Sequence, residues 1–218
     1  MNQLMDTPYR HTRSGTAKRE IGKATAVKLV KTAHELIMDG GYADFSMRNV
    51  AKAADVRLAN LQYYFPKKEN LIRALMRYVG DLYENKYKEC IENAGNSPLE
   101  RFNAVLEYNL DDIFCLKTRH FFIQFWPLVA IVDNYSGKLL SEFYRPQLHQ
   151  FEELIKELDP NIDDADIKWR AKMITALIEG LMVVDSPSKK KEELSFRRNV
   201  FQQCLTIAFG MSEKELPL

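Results

Sequence analysis

The sequence predicts an all-α chain of about nine helices, a three-helix N-terminal part followed by a larger helical part. Three observations carry this. Gly and Pro number only 9 and 8 in 218 residues, while the helix formers Leu, Ala, Lys and Glu are frequent. No stretch alternates apolar and polar residues for long enough to form a strand. Between Phe45 and Leu71 the chain reads as helix, tight turn, helix, proline stop and new helix. With 46% hydrophobic and 28% charged residues the chain is of the folded globular class and long enough to bury a core.

Residues 1–15 are polar and predicted to be a flexible basic arm. Its Arg10 and Arg13, with Lys18 and Arg19, could reach a DNA backbone or minor groove; the alternative is a solvated tail. Thr16 to Asp39 is predicted as an amphipathic helix with Ala26, Val30, Ala33 and Ile37 on one stripe. Gly40 and Gly41 stop it by supplying a left-handed cap. Ser46 then caps a second helix, with Phe45 and Val50 spaced as a hydrophobic staple and Val50, Ala53 and Ala54 as its narrow apolar face. Asp55 stands where the chain must turn, and Asp tolerates positive φ. A third helix, Arg57 to Tyr64, buries Leu61 and Phe65 and leaves Arg57, Leu58, Asn60, Gln62 and Tyr64 outward. Pro66 ends it, because proline disfavours helix at the preceding residue. Such a pair, with a basic, amide- and tyrosine-bearing second helix, is a form that enters a DNA major groove.

This segment resembles the DNA-binding motif of the TetR (tetracycline-repressor-like) family. The matching positions are Ser46, Ala54, Val56, Leu61, Phe65, Lys68, Glu69 and Leu71. The departures are Asp55 for the turn Gly, Arg57 for a capping Ser, Ala59 for Gly, Gln62 for Tyr and Tyr64 for His. The resemblance implies a DNA-binding domain over residues 1–66 and an effector-binding and dimerisation domain over 67–218. It implies a repressor on a palindromic double-stranded operator, released by a small molecule whose identity the sequence does not reveal. Arg57, Leu58, Asn60 and Gln62 are the candidates for base edges, since Arg suits guanine and Asn or Gln suits adenine. Ser46, Arg48, Tyr63, Tyr64 and Lys68 are candidate phosphate anchors.

A long helix is predicted from Glu69 through Leu71, Leu75, Tyr78 and Leu82 to about Asn93, followed by five more helices. These run over about Pro98–Cys115, Thr118–Asp133, Ser136–Leu158, Asp163 or Asp164 to Val184, and Lys190–Met211, with Pro146 expected to kink the third of them. Phe102, Phe114, Phe121, Phe122, Phe125, Trp126, Tyr144 and Trp169 are the candidates to line an apolar effector cavity. Arg119, His120, Gln124 or His149 could supply its polar groups; the alternative is that the aromatics simply fill the core. In the last two helices apolar residues occupy two faces. In the first, one face carries Ile167, Ala171, Ile174, Ile178 and Leu181, the other Met173, Ala176, Leu177, Gly180, Val183 and Val184. In the second, Phe196, Val200, Cys204 and Ile207 form one stripe and Phe201, Leu205, Ala208 and Phe209 another. A doubly apolar helix needs a second partner. The resemblance makes that partner a second copy, joined through these two helices as a homodimer.

The formal net charge of +1 conceals an asymmetry: residues 1–78 hold 14 Lys/Arg against 7 Asp/Glu, the rest 17 against 23. A basic N-terminal third suits phosphate, and the acidic remainder does not. No nucleophile-elbow, phosphate-loop, dinucleotide or Cys-x-x-Cys pattern is present, so no enzymatic role and no cofactor are expected. No metal site is expected either, since the four His are scattered and Asp163, Asp164 and Asp166 suit a helix start. Three widely spaced cysteines and the absence of a long apolar run point to a reducing, cytoplasmic location away from membranes. Two competing readings are a DNA-binding dimer without an effector and a helical protein-interaction adaptor.

Overall fold

The computed structural model describes residues 16–41, 44–184 and 190–210. Among them are nine helices: α1 (Thr16–Gly40), α2 (Met47–Ala53), α3 (Leu58–Tyr64), α4 (Lys68–Asn93), α5 (Pro98–Phe114), α6 (Leu116–Val132), α7 (Lys138–Leu158), α8 (Asp164–Val184) and α9 (Lys190–Phe209). No strand occurs among the described residues, so the fold is all-α as expected. Arg10 and Arg13 lie outside the described residues, as do the side chains of Lys18 and Arg19 and most of the turn before α9.

Local chemistry accounts for the helix ends. The α1 terminus places Gly41 at φ 72°, and its N–H donates to the Ile37 carbonyl at 3.1 Å. Ser46 caps α2, its hydroxyl accepting from the Asn49 amide at 3.1 Å, with Phe45 and Val50 both buried beside it. Ser97 and Glu100 form a reciprocal capping box ahead of Pro98, which opens α5. Both α6 and α7 continue through an internal proline, Pro127 and Pro146.

The chain divides into two compact units. One comprises the described residues up to Leu82 together with His120–Phe143, the other Tyr83–Arg119 together with those from Tyr144 onward. In the first, α1 packs on α2 and α2 on α3 around Leu29, Ala33, Ile37, Val50, Leu61 and Leu75. From the same unit α6 contributes the buried rings Phe121, Phe122 and Phe125. In the second, α5 packs on α8 and α9, which also pack on each other, around Phe102, Leu106, Phe151, Ile174, Ile178 and Cys204.

Two expectations about helix faces are corrected. Ala51, not Ala53, shares the buried face of α2 with Val50: Ala51 is buried while Ala53 is exposed. In α9 the buried residues Val200, Cys204, Leu205 and Ala208 come from both anticipated stripes, so one face centred between them meets the unit's core.

Asp55 has φ 55°, the left-handed conformation anticipated for the turn. It follows that Asp55→Gly is tolerated, whereas Asp55→Val costs about 1–2 kcal/mol, because a β-branched side chain clashes in this conformation. Urea melts of the two variants check this; equal midpoints would contradict it.

Candidate nucleic-acid interface

The α2–turn–α3 unit is built by short-range bonds. Asp55 N–H donates to the Lys52 carbonyl (3.1 Å) and Val56 N–H to the Ala51 carbonyl (2.9 Å). That pair, around a left-handed residue, is a Schellman termination, and it aims the chain directly into α3. Arg57 is the N-cap of α3 with no side-chain capping bond, so α3 starts one residue later than anticipated. Leu61 is the buried residue of this seven-residue helix, at 0% exposure, and Phe65 behind it is buried as well.

With Leu61 and Phe65 turned inward, the opposite face is free. Arg57, Asn60 and Gln62 are exposed, Leu58 and Tyr64 are half-buried, and Tyr63 is 70% exposed. The Tyr63 and Tyr64 rings meet edge to face at 5.2 Å. Ala59, which sequence reasoning passed over, lies on this exposed face among Asn60, Gln62 and Tyr63. Helical periodicity applied strictly from Leu61 would have found it. A small methyl there suits contact with a thymine methyl.

The supporting residues behave differently. Arg48 is exposed on α2, and Ser46 is half-buried with its hydroxyl spent on the cap. Lys68 Nζ donates to the Phe45 carbonyl at 3.0 Å and lies 4.8 Å from the Phe45 ring centroid. Burial holds its ammonium below the usual lysine range. Lys68 therefore clamps the start of α4 to the entry of α2. Lys28 does the same from α1, donating to the Ala54 carbonyl at the end of α2 (2.9 Å). The two lysines fix the orientation of the motif from both sides.

The aromatic candidates separate. In the first unit Phe121, Phe122, Phe125 and Trp126 form one connected ring cluster, with Phe121 and Phe125 stacked at 4.9 Å. The Trp126 indole N–H is buried there without a hydrogen-bond partner among the described residues. In the second unit Phe102 packs on Phe151, Phe114 on Phe196, and Tyr144 donates its hydroxyl to Glu179 at 2.9 Å. Trp169 is 56% exposed on α8. Of the polar candidates, Arg119 is buried and donates to the Leu181 carbonyl, Gln124 donates to the His120 carbonyl, and His120 and His149 are exposed. No group of His, Cys, Asp or Glu among the described residues could hold a metal ion.

Residues 29–75, spanning most of α1, all of α2 and α3 and the start of α4, match the model of the bacterial regulatory proteins of the tetR family. Over these residues the chain carries a segment of the tetR-family type. Similar to it is the HTH-type transcriptional regulator BetI of Pectobacterium carotovorum, 24% identical over 203 residues that cover 87% of this chain and 92% of the relative. Among solved structures, reduced NemR of E. coli is similar at 15% identity and TM-score 0.66, covering 84% of this chain and 97% of that one. GusR of Salmonella enterica is similar at 16% identity and TM-score 0.65, covering 85% and 96%. At these identities the likeness to the solved structures shows the fold. The chain is thus a DNA-binding transcriptional regulator with a helix-turn-helix. No helix among its described residues is long and apolar enough to cross a membrane.

Proposed function

We propose that this chain is a homodimeric repressor that binds a palindromic operator and is released by a small effector. The observation that carries the reading is the face of α3: Arg57, Ala59, Asn60, Gln62 and Tyr63 are exposed together on a helix anchored from behind by Leu61. Residues 1–66 act as the reading head, with the 1–15 arm, and 67–218 bind effector and partner. Arg57, Leu58, Asn60 and Gln62 read bases, and Tyr63 and Ala59 join them from the middle of the same face. Arg48, Tyr64 and Lys68 hold phosphate, and Ser46 positions the helix that carries Arg48.

Dimerisation uses α8 and α9. Trp169, Met173, Ala176 and Val183 are exposed at helical spacing on α8, and Leu194 and Phe196 on α9. A Cβ added at Gly180, on the same stripe, would meet nothing within 4 Å. A second copy fills that space and covers the stripe, which a lone chain leaves to water. Two copies so joined carry their α3 helices to successive major grooves, about 34–36 Å apart. Effector binding favours a dimer whose heads are wrongly spaced, and affinity for DNA falls by the ratio of effector affinities for the two states. The uninterrupted α4, Lys68–Asn93, starts beside the reading head and can pass on a rigid displacement. The regulator works in the cytoplasm, where Cys90, Cys115 and Cys204 remain free thiols.

Selection of bound duplexes from a random pool tests this. A palindromic consensus with half-sites about one turn apart is expected; no enrichment above background would favour the adaptor reading. On the selected site, Gln62→Ala is expected to cost about 1–3 kcal/mol at particular base pairs only. Lys68→Ala is expected to weaken binding to every sequence and to lower the salt slope by about one. A purely structural Lys68 would instead lower stability and leave the salt slope unchanged.

A further inference from the structure

The interior of the second unit is polar in a way that its packing does not require. Asp112 on α5 accepts from the Tyr83 hydroxyl and from Thr118 Oγ1 (3.0 Å). Glu179 on α8 accepts from the Tyr144 hydroxyl at 2.9 Å and also from Gln147. Between them Asn109 accepts from Tyr87 (3.0 Å) and from Gln147 (3.1 Å). The donors Tyr83, Thr118, Tyr144 and Gln147 are all neutral, and among the described residues neither carboxylate forms an ion pair with a Lys or Arg. Arg119, buried in the same unit, donates to the Leu181 carbonyl.

Both carboxylates are half-buried; withdrawing a carboxylate from water without a counter-charge is costly, and two that repel each other more so. Burial raises the pKa of Asp112, and burial with repulsion from Asp112 raises that of Glu179 to about 7. Thr175, one turn before Glu179 on α8, is 6% exposed, and its hydroxyl has no hydrogen-bond partner among the described residues. The Tyr83, Tyr87 and Tyr108 rings lie within 5.8–6.2 Å of one another beside Asp112. Tyr108 already has a cation near it, Lys86 Nζ at 6.0 Å from its ring centroid. What this interior lacks is one positive charge, and tyrosine faces and carboxylates together are the surroundings that hold an organic cation.

We propose that Glu179, Asp112, Thr175 and the tyrosines Tyr83, Tyr87 and Tyr144 form the effector site, and that the effector is a small organic ammonium ion. This rests on the reading that the regulator answers to a small effector. The cation neutralises the carboxylate pair, its apolar substituents lie against the tyrosine rings, and the Thr175 hydroxyl gains a partner. A neutral molecule leaves the pair uncompensated and an anion is repelled by it.

The test is thermal unfolding of the full chain with benzyltrimethylammonium, tetraethylammonium, benzylammonium, benzyl alcohol and benzoate, followed by release from the selected operator. At least one of the cations is expected to raise Tm with concentration and to release DNA, while the alcohol and the anion do neither. Glu179→Gln and Asp112→Asn should each weaken that cation at least about tenfold. On the wild type, affinity for tetraethylammonium, which does not titrate, should rise with pH through about 7 as Glu179 releases its proton. This readout stands even where a variant fails to fold. Stabilisation by benzyl alcohol or benzoate but by no cation overturns the ammonium assignment and leaves an effector-controlled repressor. No response to any of the five overturns the assignment and favours a regulator without an effector.

Discussion

Leu61→Ala is expected to lower stability by about 2–5 kcal/mol and to abolish operator binding at the same time. Leu61 is wholly buried and is the buried residue of α3. A helix of seven residues does not hold itself together in water, since nucleation is costly and few bonds follow it. Its persistence depends on Leu61, on Phe65 and on the Schellman turn at Asp55. Removing three methyl-sized groups from Leu61 leaves a cavity under the reading face, so the loss combines transfer and cavity costs. Urea melts read the stability, and fluorescence anisotropy on the selected duplex reads the binding. Gln62→Ala is the control, because an exposed residue should change binding without changing the melt. A Leu61→Ala protein within about 1 kcal/mol of wild type that still binds would mean α3 is held by something else.

The second large effect is a pH dependence. Burial foremost, and repulsion from Asp112, raise the Glu179 pKa from 4.5 to about 7, against the opposing hydrogen bonds of Tyr144 and Gln147. Between those values the folded chain keeps a proton that the unfolded chain has lost. Its contribution to stability is therefore greatest below about pH 4.5, falls as pH rises to about 7, and is flat above that. The fall amounts to about 3 kcal/mol, as an order of magnitude. Asp112, whose pKa is raised by burial, works in the same direction. Denaturant midpoints at about pH 5 and about pH 8 should differ in wild type and converge in Glu179→Gln, which holds the neutral shape throughout. Equal pH dependence in both proteins would place the ionisation elsewhere.

The reading head was legible in the sequence because its determinants are local. A cap at Ser46, a left-handed turn at Asp55 and a stop at Pro66 each act within about four residues of themselves, and the structure reproduces all three. Where the reading of α2 slipped, from Ala51 to Ala53, the error lay in a helix too short for periodicity to settle its face. The aromatic residues were harder. Their spacing marks them as apolar, yet Phe102 is core, Phe114 pairs with Phe196 and Trp169 is exposed, outcomes set by partners far along the chain.

By itself the sequence determined the helix succession, the turn chemistry and the basic reading head, since these follow from bonds between near neighbours and from composition. Only the tertiary structure decided which polar groups share an interior. Tyr83 meets Asp112 across 29 residues, Tyr144 meets Glu179 across 35, and Gln147 meets Asn109 across 38. Helical periodicity reports which side of a helix is apolar. It carries no record of what the neighbouring helix presents to that side, and the chemistry of this interior is decided there.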